Sequence, residues 1–158
     1  MARSRQHPSE RRFSASSDLA VRRATEADRF RVIALLRESH AAASQDWPFK
    51  AAYADSQFRE HLARGLVLVL GDPAQGVLMA HAWDHPFGAG RWARETCWYI
   101  RPEARGRHAL RMLDAYEAWA CEQGCSRIHM VSLDDNDVSA LYARRGYAPV
   151  ERHFLKAL

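Results

Sequence analysis

A basic stretch past the middle of the chain combines residue types suited to bind an anion. Arg105, Gly106 and Arg107 stand directly before a run whose apolar residues recur at helical spacing until Gly124, a typical C-terminal stop. The first turn of a helix has unpaired backbone N–H groups and a partial positive charge, and phosphates bind at such positions. Two arginines and a glycine at this point therefore indicate a site for an anionic cofactor.

The letters around this stretch resemble a known motif. The segment YIRPEARGRHALRML is similar to the acyl-CoA-binding motif of the GNAT superfamily of N-acyltransferases, in which a strand leads into a loop of the form Q/R-x-x-G-x-G/A. Arg105 takes the first position of the loop, and Gly106 and Arg107 take its two variable positions. His108 and Leu110 stand where the family usually has glycines. A helix start can still offer its amides there if these side chains point away from the phosphates.

The resemblance implies acetyl-CoA as co-substrate. In the family the thioester-bearing arm of CoA pairs with the central strand like an added strand, and the pyrophosphate contacts amides at the helix start. Carried onto this sequence, the implied CoA-binding residues are Trp98, Tyr99, Ile100, Arg105, Gly106, Arg107, His108, Ala109, Leu110 and Arg111.

A second motif lies near the C-terminus. The segment NDVSALYARRGY resembles the family signature N-x-x-A-x-x-L-Y-x-x-x-G-F/Y. Tyr142 falls on its tyrosine, which the resemblance places beside the CoA sulfur as general acid. A phenol with a pKa near 10 is protonated at neutral pH and can protonate a leaving thiolate. The alternative is a tyrosine that only packs on the sheet.

Asn136 matches the asparagine that contacts the CoA arm in the family. It stands six residues before Tyr142 instead of the usual seven, and Asp135 holds the strictly spaced position. Either side chain could make this contact, or Asn136 could only cap the following helix.

Glu95 is the candidate general base, because the superfamily often carries a glutamate near the start of this strand. A carboxylate is a good base there only if burial raises its pKa towards neutrality. Glu95 could equally be a surface residue paired with Arg94 or Arg91, and His81 on the neighbouring strand is the second candidate. The sequence does not decide between them.

The elements that must position these residues follow from periodicity and turn residues. Strands are predicted at residues 19–23, 66–70, 77–83, 92–100, 127–132 and 147–155, and helices from a Thr25 and Asp28 capping box to residue 40 and at residues 55–64, 105–124 and 138–145. Three strands joined by short turns predict an antiparallel meander, and the strand–helix–strand unit after them predicts a parallel pair. With the resemblance, the fold class is α/β (α+β): a GNAT fold with a mixed, mostly antiparallel sheet of about six to seven strands and about four helices.

The chain is expected to form one domain over residues 19–158, preceded by a flexible basic tail at residues 1–18. Trp47, Phe49 and Tyr53 lie in or near the connection between the first two helices, which the resemblance places over the acceptor site. They could shape an acceptor pocket, but aromatic residues in a linker more often cover core, and that interpretation is favoured.

Composition and charge indicate which classes of cofactor and binding partner to expect. A net charge of +4 suits a polyanionic cofactor, and without a lysine-rich run or an aromatic-plus-basic motif nucleic acid is disfavoured. No apolar run approaches the roughly 20 residues that cross a bilayer, so no membrane partner is expected. Three cysteines without a disulfide framework favour a cytoplasmic protein, and the scattered histidines show no metal-ligand spacing, so no metal is expected.

The sequence thus predicts an N-acetyltransferase that moves an acetyl group from acetyl-CoA to an amine of a small molecule or protein, by direct attack in a ternary complex. The alternative is a CoA-binding or regulatory module that keeps the fold without the chemistry, which the non-glycine residues His108 and Leu110 support. A homodimer is left open.

Overall fold

Five strands form one sheet in the middle of the protein. A computed structural model describes residues 19–43, 46–88, 90–133 and 136–156. Its strands are β1 (Val21–Arg23), β2 (Leu66–Leu70), β3 (Gly76–Asp84), β4 (Arg91–Ile100) and β5 (Cys125–His129). Its helices are α1 (Arg29–Ala42), α2 (Ala51–Arg64), α3 (Arg107–Glu122) and α4 (Ser139–Arg144).

The strands lie side by side in chain order. The first four are antiparallel neighbours, and β5 returns parallel to β4 after the crossover through α3. The predicted mixed, mostly antiparallel sheet with a meander and one parallel pair is therefore confirmed. The described residues form five strands, fewer than the six to seven expected.

Two helical layers cover the two faces of the sheet. In β2 the sequence LVLVL places alternate side chains on opposite faces. Its leucines pack in one cluster with Met112, Leu113 and Tyr116 of α3. Its valines pack in another with Val32 and Leu35 of α1 and Phe58 of α2. The prediction of a strand buried on both faces is confirmed, because all five residues of β2 are buried.

The capping box before α1 forms as predicted. Glu26–Asp28 make one 3-10 turn, and Asp28 Oδ2 accepts a hydrogen bond of 2.9 Å from the backbone N–H of Thr25. Arg22 on β1 also donates to this carboxylate, which lowers the pKa of Asp28 to about 2. This contact fixes the entry to α1 against the first strand.

The C-terminal strand predicted at residues 147–155 is wrong. Residues 147–156 are not in a strand, and Phe154 is 90% exposed. A strand needs a ladder partner as well as apolar residues, and the local pattern does not specify one. The predicted strand at 127–132 likewise ends at His129, and α2 begins at Ala51 instead of residue 55.

Two further expectations concern the N-terminal tail and a possible membrane partner. The tail predicted at residues 1–18 lies outside the described residues. None of the helices in the described ranges is long and apolar enough to cross a membrane.

Candidate active site

The middle of β4 departs from a regular ladder. Met79 pairs with Cys97 while Ala80 pairs with Glu95, so Thr96 is an extra residue on β4. Such a bulge places two successive side chains on one side of the strand and increases its bend. The Thr96 and Cys97 side chains both face the α1 and α2 layer, where Cys97 Sγ lies 3.6 Å from Ser39 Oγ.

At the same level β4 and β5 part. Their parallel pairing runs from Arg91 to Arg94 on β4, and the described residues show no pairing between Glu95–Ile100 and β5. A cavity of about 950 Å³ opens there, between β4, the start of α3, the segment before α4, and the α1 and α2 layer. The size fits a ligand-binding site.

Eight of the predicted site residues line this cavity: Glu95, Trp98, Tyr99, Ile100, Arg105, Ala109, Asn136 and Tyr142. The other five do not line it and lie at the start of α3, next to the lining residues Arg105 and Ala109: Gly106, Arg107, His108, Leu110 and Arg111. The structure therefore brings the two distant sequence motifs to one place.

Glu95 and Tyr142 both bind the backbone of one residue, Val131. The backbone N–H of Val131 donates to Glu95 Oε2 at 3.1 Å, and the hydroxyl of Tyr142 donates to the Val131 carbonyl at 3.0 Å. Val131 belongs to the segment that follows β5, where the chain turns away from β4. The loss of strand pairing thus leaves the N–H and the carbonyl of Val131 free to hold both candidate catalytic side chains.

The environment of Glu95 makes it a base suited to neutral pH. Its residue is only 9% exposed, and burial raises the pKa of its carboxyl to about 7, although the Val131 N–H and the positive charge of Arg94 act in the opposite direction. The alternative of a surface glutamate paired with Arg94 or Arg91 is wrong, because the β4 alternation turns Glu95 inward.

The environment of Tyr142 keeps its phenol protonated. Burial raises its pKa above the ordinary value of 10, and the nearby Glu95 acts in the same direction. Its ring lies 6.5 Å from that of Trp98 in a stacked arrangement. The hydroxyl proton is held by the Val131 carbonyl, so a reacting thiolate would have to replace this carbonyl as the acceptor.

The start of α3 has the geometry of an anion site. Gly106 precedes the helix with φ of 81°, a conformation that L side chains rarely adopt. Arg105 Nε donates to the Ile100 carbonyl at 3.0 Å, which ties the loop to the end of β4. His108 is 2% exposed, so its side chain does not occupy the space where a phosphate would bind. The side chain of His108 thus points away from solvent, as an amide-lined site requires.

The segment before α4 shows which residue caps that helix. Asp137 Oδ1 accepts hydrogen bonds from the backbone N–H of Ser139 at 2.8 Å and from the Ser132 hydroxyl at 3.1 Å. The capping role considered for Asn136 therefore falls to Asp137, and Asn136 lines the cavity. Asp135, the other candidate, lies outside the described residues.

An aromatic rim borders the cavity on the α1 and α2 side. Trp47, Phe49 and Tyr53 line it, and the His40 ring packs edge-on against Trp47 and Phe49. Trp47 is 49% exposed and Tyr53 66% exposed, so the favoured expectation that these residues cover core is wrong for these two.

Two polar residues near the cavity, Thr96 and His61, were not predicted from the sequence. His61 of α2 is buried, and its Nε2 lies 2.8 Å from the Thr96 hydroxyl oxygen. His61 falls three residues after Phe58 and seven after Ala54, on the buried stripe of α2, and a histidine at such a position was the available signal. His81, the second candidate base, reaches the same hydroxyl at 3.3 Å but does not line the main cavity.

Comparison with known proteins decides the family. Residues 30–147 match the family model described as acetyltransferase (GNAT) family, which is well over half of the chain. This protein belongs to the GNAT family. No curated protein gives a significant match to the GNAT chain described here.

Solved structures share the GNAT fold at low sequence identity. A predicted acetyltransferase from Clostridium acetobutylicum, crystallised with acetyl-CoA, is 17% identical with a TM-score of 0.74, over 88% of this chain and 96% of that one. A transcriptional regulator from Bacillus halodurans is 18% identical with a TM-score of 0.74, over 89% and 99%. An aminoglycoside antibiotic 6'-N-acetyltransferase from Acinetobacter haemolyticus is 20% identical with a TM-score of 0.66, over 88% and 99%. These likenesses concern the fold.

Proposed function

We propose that this GNAT protein transfers an acetyl group from acetyl-CoA to an amine by direct attack in a ternary complex. One observation carries the proposal: a buried carboxyl with a pKa of about 7 and a protonated phenol are held by the backbone N–H and C=O of one residue, Val131, on the wall of one cavity. A pair of groups with these properties is what amide formation from an ammonium ion and a thioester requires.

Each residue has one task in this reaction. Glu95, half ionised near neutral pH, accepts a proton from the acceptor ammonium and makes its nitrogen a nucleophile. Acetyl-CoA supplies the thioester carbonyl that the nitrogen attacks. Tyr142 donates its proton to the sulfur as the carbon–sulfur bond breaks, so that the thiol leaves in neutral form. Tyr142 then regains a proton, which Glu95 or solvent can supply.

The cofactor-binding residues fit the shape and charge of CoA. The pyrophosphate is assigned to the start of α3, where three arginines, Arg105, Arg107 and Arg111, fall within about two turns around Gly106. The pantetheine arm is assigned to the open side of β4 at residues 98–100, with Asn136 on the facing segment. Arg105 and Ala109 at the start of α3 line the same cavity as Glu95 and Tyr142, which supports both assignments.

The acceptor is proposed to be a small-molecule amine with an apolar or aromatic body. Trp47, Phe49 and Tyr53 form an aromatic wall near the β4 site, and such a wall binds apolar groups and attracts cations. The related 6'-N-acetyltransferase takes an aminoglycoside antibiotic, which shows that the fold can serve a small-molecule acceptor.

A thiol-release assay with a panel of amines tests the proposal, beside calorimetric titration with acetyl-CoA. We expect acetyl-CoA binding together with amine-dependent thiol release. Tyr142→Phe should lower kcat roughly 10-fold or more and leave the Kd for acetyl-CoA nearly unchanged, because the hydroxyl acts only when the thiolate forms. Binding without thiol release from any amine would favour the catalytically silent module, and unchanged turnover would remove Tyr142 from the mechanism.

A further inference from the structure

The bulged residue of β4 joins two cavities. Thr96 lines the main cavity, and its hydroxyl oxygen lies 2.8 Å from His61 Nε2 and 3.3 Å from His81 Nδ1. His61 and His81 also line a smaller cavity of about 380 Å³ on the far side. The bulge is the cause, because it turns Thr96 towards α2 while Glu95 faces the α3 layer.

The hydrogen-bond partners fix which atom carries each proton. His61 Nδ1 lies 2.7 Å from the backbone carbonyl of Gln57, and a carbonyl only accepts, so Nδ1 carries the proton. In neutral His61 the Nε2 atom is then an acceptor, and the Thr96 hydroxyl must donate to it. The lone pairs of Thr96 Oγ1 are left to accept from other groups.

The order of proton transfers in the proposed function calls for a second proton acceptor, because Tyr142 keeps its own proton until the carbon–sulfur bond breaks. Converting an ammonium ion to an amide removes two protons from nitrogen, one before the attack and one after the carbon–nitrogen bond has formed. Glu95 can hold only one of them at a time. Over a full cycle one of the two protons replaces the proton that Tyr142 gives to the thiolate. The other proton must leave the site.

We propose that Thr96 and His61 form a proton relay that accepts the second proton of the amine. This inference rests on the proposed function. The N–H bond of the positively charged nitrogen in the tetrahedral adduct breaks and leaves its electron pair on nitrogen. The proton passes to Thr96 Oγ1, while the hydroxyl proton of Thr96 passes to His61 Nε2. Thr96 is the catalytic residue that touches substrate, and His61 acts through it.

The surroundings suit a relay that returns its proton to solvent. The titratable and charged groups around His61 are His81 on β3, Glu60 and Arg64 on α2, and Arg94 on β4, beside His81. Burial and the neighbouring His61 lower the pKa of His81, which keeps that ring neutral and avoids two imidazolium ions side by side. His61 releases its proton into the smaller cavity, which both rings line.

Four single variants and the double variant of Thr96→Val with His61→Gln test the relay in the full chain, with phenethylamine and acetyl-CoA as substrates. Thr96→Val removes only the hydroxyl, Thr96→Ser keeps it, and His61→Gln removes the imidazole. His81→Asn is the matched control, since His81 contacts the same hydroxyl but is not the proton acceptor. For each variant kcat is measured from pH 6 to 9, together with Tm and the Kd for acetyl-CoA.

We expect Thr96→Val and His61→Gln each to lower kcat roughly 10- to 100-fold, with Tm and Kd close to wild type. Thr96→Ser should stay within about threefold of wild type, and the double variant should be no slower than either single one, because both interrupt one path.

The contrary outcomes are distinct. If wild type acetylates phenethylamine and the Thr96→Val variant is equally active, the relay is overturned and the proposed function stays intact. Equal losses in Thr96→Ser and Thr96→Val would assign Thr96 a packing role and also overturn it. If wild type releases thiol with no amine of the panel, the proposed function itself fails and the relay with it.

Discussion

At the scale of single residues, the buried carboxylate of Glu95 destabilises the folded protein at the pH values where it is ionised and can act as a base. The folded protein holds its carboxyl proton more tightly than an unfolded chain does, with a pKa of about 7 against the ordinary 4.5. The stabilising contribution is therefore complete below about pH 4.5 and is lost as the pH rises through 7. We predict that Glu95→Gln raises the free energy of unfolding at pH 8 by up to about 3 kcal/mol and changes it little at pH 4. Urea unfolding at both pH values measures this.

The same variant should lower kcat about 100-fold, because its amide cannot accept the amine proton. Glu103→Gln, at an exposed position before α3, is the control and should change neither stability nor turnover. If the Glu95→Gln protein were less stable than wild type at pH 8, burial of the ionised Glu95 carboxylate would not destabilise the fold.

At the scale of elements, the start of α3 depends on one backbone conformation. Gly106 has φ of 81° and open space where a Cβ would stand, so a substitution there meets backbone strain and no clash. We predict that Gly106→Ala costs about 1–3 kcal/mol of stability and weakens acetyl-CoA binding, because the loop and the first amides of α3 shift together. Gly124 is a matched control at the other end of α3, with φ of 69° and equally open space.

Gly124→Ala should lose similar stability and keep the wild-type Kd for acetyl-CoA. Thermal unfolding and calorimetric titration of both variants make the comparison. Equal Kd values for the Gly106 and Gly124 variants would mean that the start of α3 does not hold the phosphates.

At the scale of the whole molecule, one sheet carries both helical layers, so the layers should unfold together. Phe58 of α2 and Leu113 of α3 are fully buried on opposite faces. We predict that Phe58→Ala and Leu113→Ala each lower the free energy of unfolding by about 3 kcal/mol. Tryptophan fluorescence and far-UV circular dichroism should give one coincident transition in urea for each variant. Separate transitions for the two probes would show that the layers are independent.

The sequence by itself determined most of the elements and the resemblance to the family, but not the strand predicted at residues 147–155. The alternation in LVLVL sets a strand buried on both faces, and the spacing of Leu113 and Tyr116 sets the buried side of α3, because both depend on neighbours a few residues away. Gly106 and Tyr142 were likewise identified from their neighbours in the sequence, because each lies within a short motif. The motifs also gave Glu95 a candidate role, without showing whether it was buried.

Only the tertiary structure decided how the site works. Glu95 and Tyr142 both bind the backbone of Val131 because β4 and β5 part after Arg94, and a local pattern does not encode where two strands separate. Thr96 and His61 stand 35 positions apart and meet through a one-residue bulge. A shift of one residue reverses the face of every side chain beyond it, so such contacts follow from register, which is set by the packed molecule as a whole.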